Sequence, residues 1–218
     1  MVYSRLVGVK GVEGTEMAGR LELMMGPMRS NKTAELLRRA EMRREYANQY
    51  VLVLKPSDDT KSAPGLIESR NKVSHVKMSA TEFNSANPWE VLEIIDQTEQ
   101  QIGKRIECVA IDEGQFVDDL FTFCKYLLDA NHDVLVAGLD LDFRAIPFGE
   151  MLTLSWLVST YGGSVTECMA YCRCGARGIY TQRLIDGKPA AYTSQVKLAG
   201  DCYEPRCEEH FVLPGRPH

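Results

Sequence analysis

The chain of 218 residues lacks any uncharged apolar run approaching the ~18 residues that cross a bilayer, which argues against a membrane-spanning helix. It also lacks a basic excess: 25 Lys and Arg stand against 30 Asp and Glu, a net charge of −5. A sequence-blind grip on nucleic acid must neutralise many phosphates with Lys and Arg, so stable nucleic-acid binding is not expected. The stretch from Met1 to Arg20 has neither an uncharged apolar block nor a small-residue cleavage pattern, and secretion is unsupported. Cysteine is scarce and odd in number, with seven residues. A chain this long needs no disulfide framework, and the pattern suits a reducing compartment and a metal site. There is no internal repeat and no low-complexity tract. What remains is 44 % hydrophobic and 25 % charged, enough for an ordinary buried core. A soluble, cytoplasmic protein of one or two domains is expected.

Residues 1–19 carry glycines and mixed charges without period and are read as a leader. Arg20 to Met25 predicts a short strand running into Gly26. Asn31 to Asn48 has no Gly or Pro and is rich in good helix formers. Leu36, Leu37, Ala40 and Ala47 recur at helical spacing, which turns Arg38, Arg39, Arg43 and Arg44 mostly outward as a solvated face. Tyr50 to Leu54 is an apolar run that Pro56 should close. Trp89 to Gln101 and Leu120 to Ala130 predict helices, and Ile106 to Ile111 and Val134 to Ala137 further strands. Continuous apolar strands alternating with helices indicate βαβ units and a parallel sheet covered on both faces. After Tyr161-Gly162-Gly163 cysteines and short alternating segments replace that rhythm. The chain therefore divides into residues 1–19, 20–163 and 164–218.

Gly26-Pro27-Met28-Arg29-Ser30-Asn31-Lys32-Thr33 stands between a predicted strand and a predicted helix. This is the setting of a phosphate loop, G-x-x-x-x-G-K-[ST], whose backbone N–H groups converge on phosphate oxygens. In that reading Lys32 reaches the β- and γ-phosphates and the Thr33 hydroxyl holds Mg²⁺. Asn31 replaces the second Gly, and Asn tolerates left-handed backbone angles better than most residues. Farther along, the strand from Ile106 to Ile111 ends in Asp112-Glu113. An acid at the carboxyl end of such a strand supplies the second Mg²⁺-coordinating group beside the loop. Together the two motifs indicate nucleotide binding. They leave the chemistry open, because an ATPase uses a Glu in that place to orient water and a kinase uses one for a substrate hydroxyl.

Cys168, Cys172, Cys174, Cys202, Cys207 and His210 crowd the last third. Cys172-x-Cys174 and Cys207-x-x-His210 offer three thiolates and an imidazole in two close pairs, a set that suits tetrahedral structural Zn²⁺. Cys168 competes for the front position and Cys202 for the rear. Cys108 and Cys124 read as small core residues.

The string Asp112-Glu113-Gly114-Gln115-Phe116 resembles the D-E-x-Q-F motif of the cellular, type II thymidine kinases, and residues 26–33 resemble their G-P-M-x-S-G-K-[ST] loop except at Asn31. Leu139-Asp140-Leu141-Asp142-Phe143-Arg144, Pro147-Phe148-Gly149 and Thr181-Gln182-Arg183-Leu184 are similar to further segments of that family. The resemblance runs over about residues 20–211 and implies a P-loop, RecA-like parallel sheet with a small C-terminal zinc-binding lasso. It implies transfer of the ATP γ-phosphate to the 5′-hydroxyl of thymidine, with deoxyuridine as a second acceptor. Glu113 is implied as the general base and Asp112 as a Mg²⁺ holder. Asp59-Thr60-Lys61 matches a D-T-R segment that contributes to the nucleotide site, with Lys61 lacking the bidentate fork of Arg. Phe116 and Phe143 are implied to line the base pocket. Gln195-Val196-Lys197-Leu198-Ala199 and Tyr203 match the loop that reads the thymine edge through its backbone, and the zinc ties the base of that loop. A homotetramer and feedback inhibition by thymidine triphosphate are implied as well. The other reading of the residues is a P-loop ATPase whose zinc knob binds nucleic acid or protein. A third is a plain zinc-binding module with a vestigial phosphate loop.

Overall fold

Uninterrupted apolar runs form the centre of the structure. In the computed structural model, which describes residues 18–57, 63–69, 76–194 and 203–216, these runs are strands with no solvent-facing side. The expectations for Asp59, Thr60, Lys61, Gln195, Val196, Lys197, Leu198, Ala199 and Cys202 lie outside the described residues, as does most of the 1–19 leader. Packing already reaches Gly19, which is buried and whose N–H donates to the Leu128 carbonyl at 3.0 Å.

The elements follow in chain order: β1 (Leu21–Met25), α1 (Lys32–Tyr46), β2 (Val51–Pro56), β3 (Leu66–Glu68), β4 (Lys77–Ser79), β5 (Thr81–Phe83), α2 (Val91–Ile102), β6 (Cys108–Ile111), α3 (Leu120–Asp129), β7 (Asp133–Gly138), α4 (Ser155–Tyr161) and β8 (Gly163–Glu167). Six of these strands make one sheet in the order β5-β2-β6-β7-β1-β8, and every neighbouring pair is parallel. Alternate residues feed two cores. Leu21, Leu23, Leu52, Leu54, Val109, Ile111, Val134 and Val136 pack on one face against α2, α3 and α4. Met24, Val53, Ala110, Leu135 and Ala137 pack on the other against Leu36, Leu37 and Ala40 of α1. Truncating a fully buried Leu such as Leu36 would cost about 2–5 kcal/mol.

Several boundaries differ from the sequence reading. β2 does end at Pro56, two residues past the apolar run; Pro56 pairs only with Phe83 of β5, because pairing with β6 stops at Leu54. Ala47 falls past the end of α1 and is exposed. A 3₁₀ turn at Pro88–Glu90 precedes α2, so Trp89 stands before the α-helix, edge-on to Phe123 at 5.7 Å. The arginine face of α1 is solvated mainly at Arg38. Arg39 and Arg43 fold back onto Glu22 of β1, and Arg43 also reaches Asp133 of β7, because these acids point from the sheet toward the helix.

The expected division near residue 163 coincides with the start of β8, an edge strand beside β1 that carries the sheet on to Glu167. Beyond it come β9 (Ala170–Tyr171), β10 (Arg177–Gly178), β11 (Tyr180–Ile185), β12 (Lys188–Pro189) and β13 (Tyr203–Arg206). They form two small antiparallel sheets, β10-β9 and β12-β11-β13. No helix of the described residues is long and apolar enough to cross a membrane.

Candidate active site

The turn after β1 has the geometry of an anion cradle. Gly26 has φ 148°, and a Cβ there would stand 2.3 Å from the Cys168 carbonyl oxygen, so only glycine fits. Arg29 and Asn31 both have left-handed backbones, at φ 63° and 66°. Asn31 therefore occupies the conformation that a Gly would take without strain, immediately before α1 begins at Lys32. The Lys32 ammonium lies over the loop, donating to the Pro27 carbonyl at 2.7 Å and the Ser30 hydroxyl at 3.3 Å. Pro27 and Ser30 are buried, and the Met28 N–H donates to the Thr181 hydroxyl at 3.1 Å, so the C-terminal sheet braces the loop.

Strand β7 lies between β1 and β6, yet side chains from the two outer strands' carboxyl ends meet. Thr33 Oγ1 donates to Asp112 Oδ1 at 3.2 Å. Asp112 is buried, and its N–H is held by the Leu54 carbonyl at 3.1 Å. Glu113 follows with a left-handed backbone, φ 53° and ψ 39°. Such strain in a non-glycine residue persists where the surroundings enforce it, commonly at functional sites. The Glu113 side chain is held by Gln115, itself buried. Its Nε2 donates to Glu113 Oε2 at 2.6 Å, and its Oε1 accepts from the Leu139 N–H at 2.8 Å. Gly149 completes the clasp: with φ 54°, a Cβ on it would stand 2.5 Å from the Gln115 carbonyl oxygen.

The aromatic residues separate into two groups. Phe116 meets Phe148 edge-on, with ring centroids 5.2 Å apart. Phe143 is fully buried with Ala190 and Tyr203, and Met28 of the loop packs against that group. The Arg183 guanidinium lies 5.4 Å from the Phe143 ring centre. Asp142 is buried and takes the Arg144 guanidinium at 2.6 Å, fixing the hairpin that carries Phe143.

The four metal-ligand candidates come together. The ligand atoms of Cys172, Cys174, Cys207 and His210 all lie within 4.8 Å of one another. Cys174 Sγ stands 3.7 Å from Cys207 Sγ, close to the separation of about 3.8 Å that tetrahedral geometry gives two thiolates at ~2.3 Å from zinc. Cys207 Sγ and His210 Nδ1 are 3.1 Å apart. Backbone N–H groups of Cys174 and Cys207 lower the Cys172 thiol to about 6, which favours the thiolate that a metal needs. Cys168 is separate: its N–H donates to the Met25 carbonyl at 2.7 Å, and it packs beside the α1 core. Cys108 and Cys124 are core residues, and burial raises both thiols.

The family model described as thymidine kinase matches residues 19–211. The chain belongs to the thymidine kinase family. It is 37 % identical over 209 residues to a thymidine kinase of Mycoplasmoides gallisepticum (strain R(low / passage 15 / clone 2)), an alignment covering 93 % of this chain and 85 % of that protein.

Several contacts around this site have no counterpart in the local sequence pattern. Phe148 stands in the sequence only within a Pro-Phe-Gly string, and its ring packs edge-on against Phe116. Thr181 and Arg183 stand in the sequence only as part of a family-like segment; their contacts with Met28 and Phe143 depend on β11 lying against the phosphate loop. The Gln115 amide spans Glu113 and the end of β7.

Proposed function

We propose that this chain is a thymidine kinase, which transfers the γ-phosphate of ATP to the 5′-hydroxyl of thymidine, and also of deoxyuridine, to give the monophosphate and ADP. The observation that carries this reading is the meeting of Thr33 with Asp112 beside a Glu113 held by Gln115. The loop from Gly26 to Thr33 offers backbone N–H groups and Lys32 to the triphosphate. Thr33 and Asp112 would hold Mg²⁺, and their oxygen pair fits a hard cation. When bound, Mg²⁺ neutralises charge on the β- and γ-phosphates.

Glu113 accepts the proton of the 5′-hydroxyl as that oxygen bonds to the γ-phosphorus. The bond to the β–γ bridging oxygen breaks, and its electron pair leaves with ADP. Gln115, through its donated hydrogen bond, keeps the carboxylate in one orientation. Phe116 with Phe148, and Phe143 with Tyr203, provide aromatic surface for a pyrimidine. Gln195 to Ala199 complete the base site through backbone groups, and Asp59, Thr60 and Lys61 contribute at the nucleotide.

The Cys172, Cys174, Cys207 and His210 set holds structural Zn²⁺, whose four protein ligands leave no position for water. It ties both ends of a lasso-like lid in a unit of residues 164–218, joined to the 20–163 nucleotide-binding unit. The working form is a cytoplasmic homotetramer subject to feedback by thymidine triphosphate, in keeping with family likeness. The test is incubation with Mg·ATP and each deoxynucleoside in turn. Thymidine-dependent formation of monophosphate supports the reading; ADP release stimulated by DNA or RNA instead, or no turnover, contradicts it.

A further inference from the structure

The loop leaving β7 carries a carboxylate to which the reaction scheme above assigns no role. Asp140 Oδ1 is enclosed by protein and, unlike the buried side-chain atoms around it, has no hydrogen-bond partner. Its neighbours are tightly held: the Leu139 N–H binds Gln115, and the Asp140 carbonyl accepts from the Phe148 N–H at 3.0 Å. The backbone therefore fixes Asp140 without using its side chain. An enclosed carboxylate oxygen without a donor is costly, and such groups are usually completed by a ligand, ion or water.

The place of Asp140 in the sheet narrows the ligand. β7 runs between the strand that leads to Thr33 and the strand that ends in Asp112, and the register sets Gly138 level with Met25. Asp140 thus follows the inserted strand at the same carboxyl edge where Thr33 and Asp112 meet. Among the donors a nucleotide complex brings to that edge are the water molecules of a hydrated divalent cation, which Mg²⁺ retains in most nucleotide sites.

We propose that Asp140 is an outer-sphere partner of the nucleotide-bound cation, accepting a hydrogen bond from a cation-bound water and adding a negative charge beside it. This rests on the reading of Lys32, Thr33 and Asp112 as the Mg·ATP site. Asp140 would be a positioning residue: it touches neither the nucleoside nor the γ-phosphate.

The test measures metal binding directly. Free Mn²⁺ is followed by electron paramagnetic resonance as it is titrated into the full chain holding a non-hydrolysable ATP analogue, for wild type and Asp140→Asn. Loss of an outer-shell partner is expected to weaken Mn²⁺ by about tenfold. Binding of the analogue without metal and KM for thymidine should stay at wild-type values. Unchanged Mn²⁺ affinity overturns the proposal, as does a raised thymidine KM with metal binding intact, which would make Asp140 a nucleoside contact. If wild type itself binds no Mn²⁺ with the analogue, the underlying site reading fails instead. Should Asp140→Asn not fold, Asp140→Ser is measured in the same way.

Discussion

Gln115 Nε2 donates a hydrogen bond to Glu113 Oε2 at 2.6 Å while its Oε1 holds the Leu139 N–H. One buried amide thus joins the acidic turn after β6 to the end of β7, at the carboxyl edge of the sheet.

The first prediction concerns that amide. Gln115→Leu keeps the bulk and removes both hydrogen bonds, so Glu113 loses its fixed orientation. Misplacing a catalytic carboxylate by about 1 Å costs roughly a hundredfold, and kcat should fall toward that figure. KM for ATP should stay near the wild-type value, because the loop is untouched. Steady-state kinetics with ATP and thymidine each varied decide it. An unchanged kcat would mean that Glu113 orients itself.

A second concerns the residue that departs from the loop pattern. Asn31 sits at φ 66°, ψ 22°. Asn31→Gly should preserve ATP binding, since Gly adopts these angles freely. Asn31→Val should lower stability by about 1–3 kcal/mol and weaken ATP binding, because a β-branched residue resists them. Thermal denaturation and nucleotide titration of both variants check this. Equal behaviour of Gly and Val would show that the loop does not need the left-handed backbone.

The Asn31 conformation also shows how far the amino-acid order carries. The strand, loop and helix from Leu21 to Tyr46 were legible because apolar run, glycine and helix formers succeed one another in one local pattern. The cysteine cluster was legible in the same way, its pairs being close in the chain. β8 was not. Gly163-Ser164-Val165-Thr166-Glu167 is polar and exposed, and it is a strand only because β1 offers a free edge. The contacts of Phe148, Thr181 and Arg183 were hidden for a related reason: each is made with a partner distant in sequence.

A third prediction is one of pH. His132 is buried and hydrogen-bonds the Ile106 carbonyl through Nδ1 at 2.7 Å. Burial pulls its pKa below the usual 6.5, with the Ile106 bond acting in the opposite sense. The unfolded chain therefore takes up a proton near pH 6.5 that the folded chain refuses until a lower pH. This contribution to stability is fully present above that value and is lost as pH falls from 6.5 toward the folded pKa. Melting temperatures between pH 7.5 and 5.5 should fall for wild type and fall less for His132→Gln. Parallel curves would exclude His132 as the source.

A fourth addresses the metal. Elemental analysis should find one zinc per chain in wild type and none in Cys207→Ser. Loss of the ligand should release the tie between β9–β10 and β13, raising KM for thymidine far more than KM for ATP. Full zinc content in the variant would point to Cys202 as the rear ligand.

The role of Glu113 as the base is tested most directly by Glu113→Gln, with thymidine phosphorylation measured alongside ATP binding. The carboxamide keeps the shape and cannot take the 5′-hydroxyl proton. Turnover should drop by about a hundredfold or more while ATP binds as in wild type. A variant that phosphorylates thymidine within a few-fold of the wild-type rate would contradict the assignment.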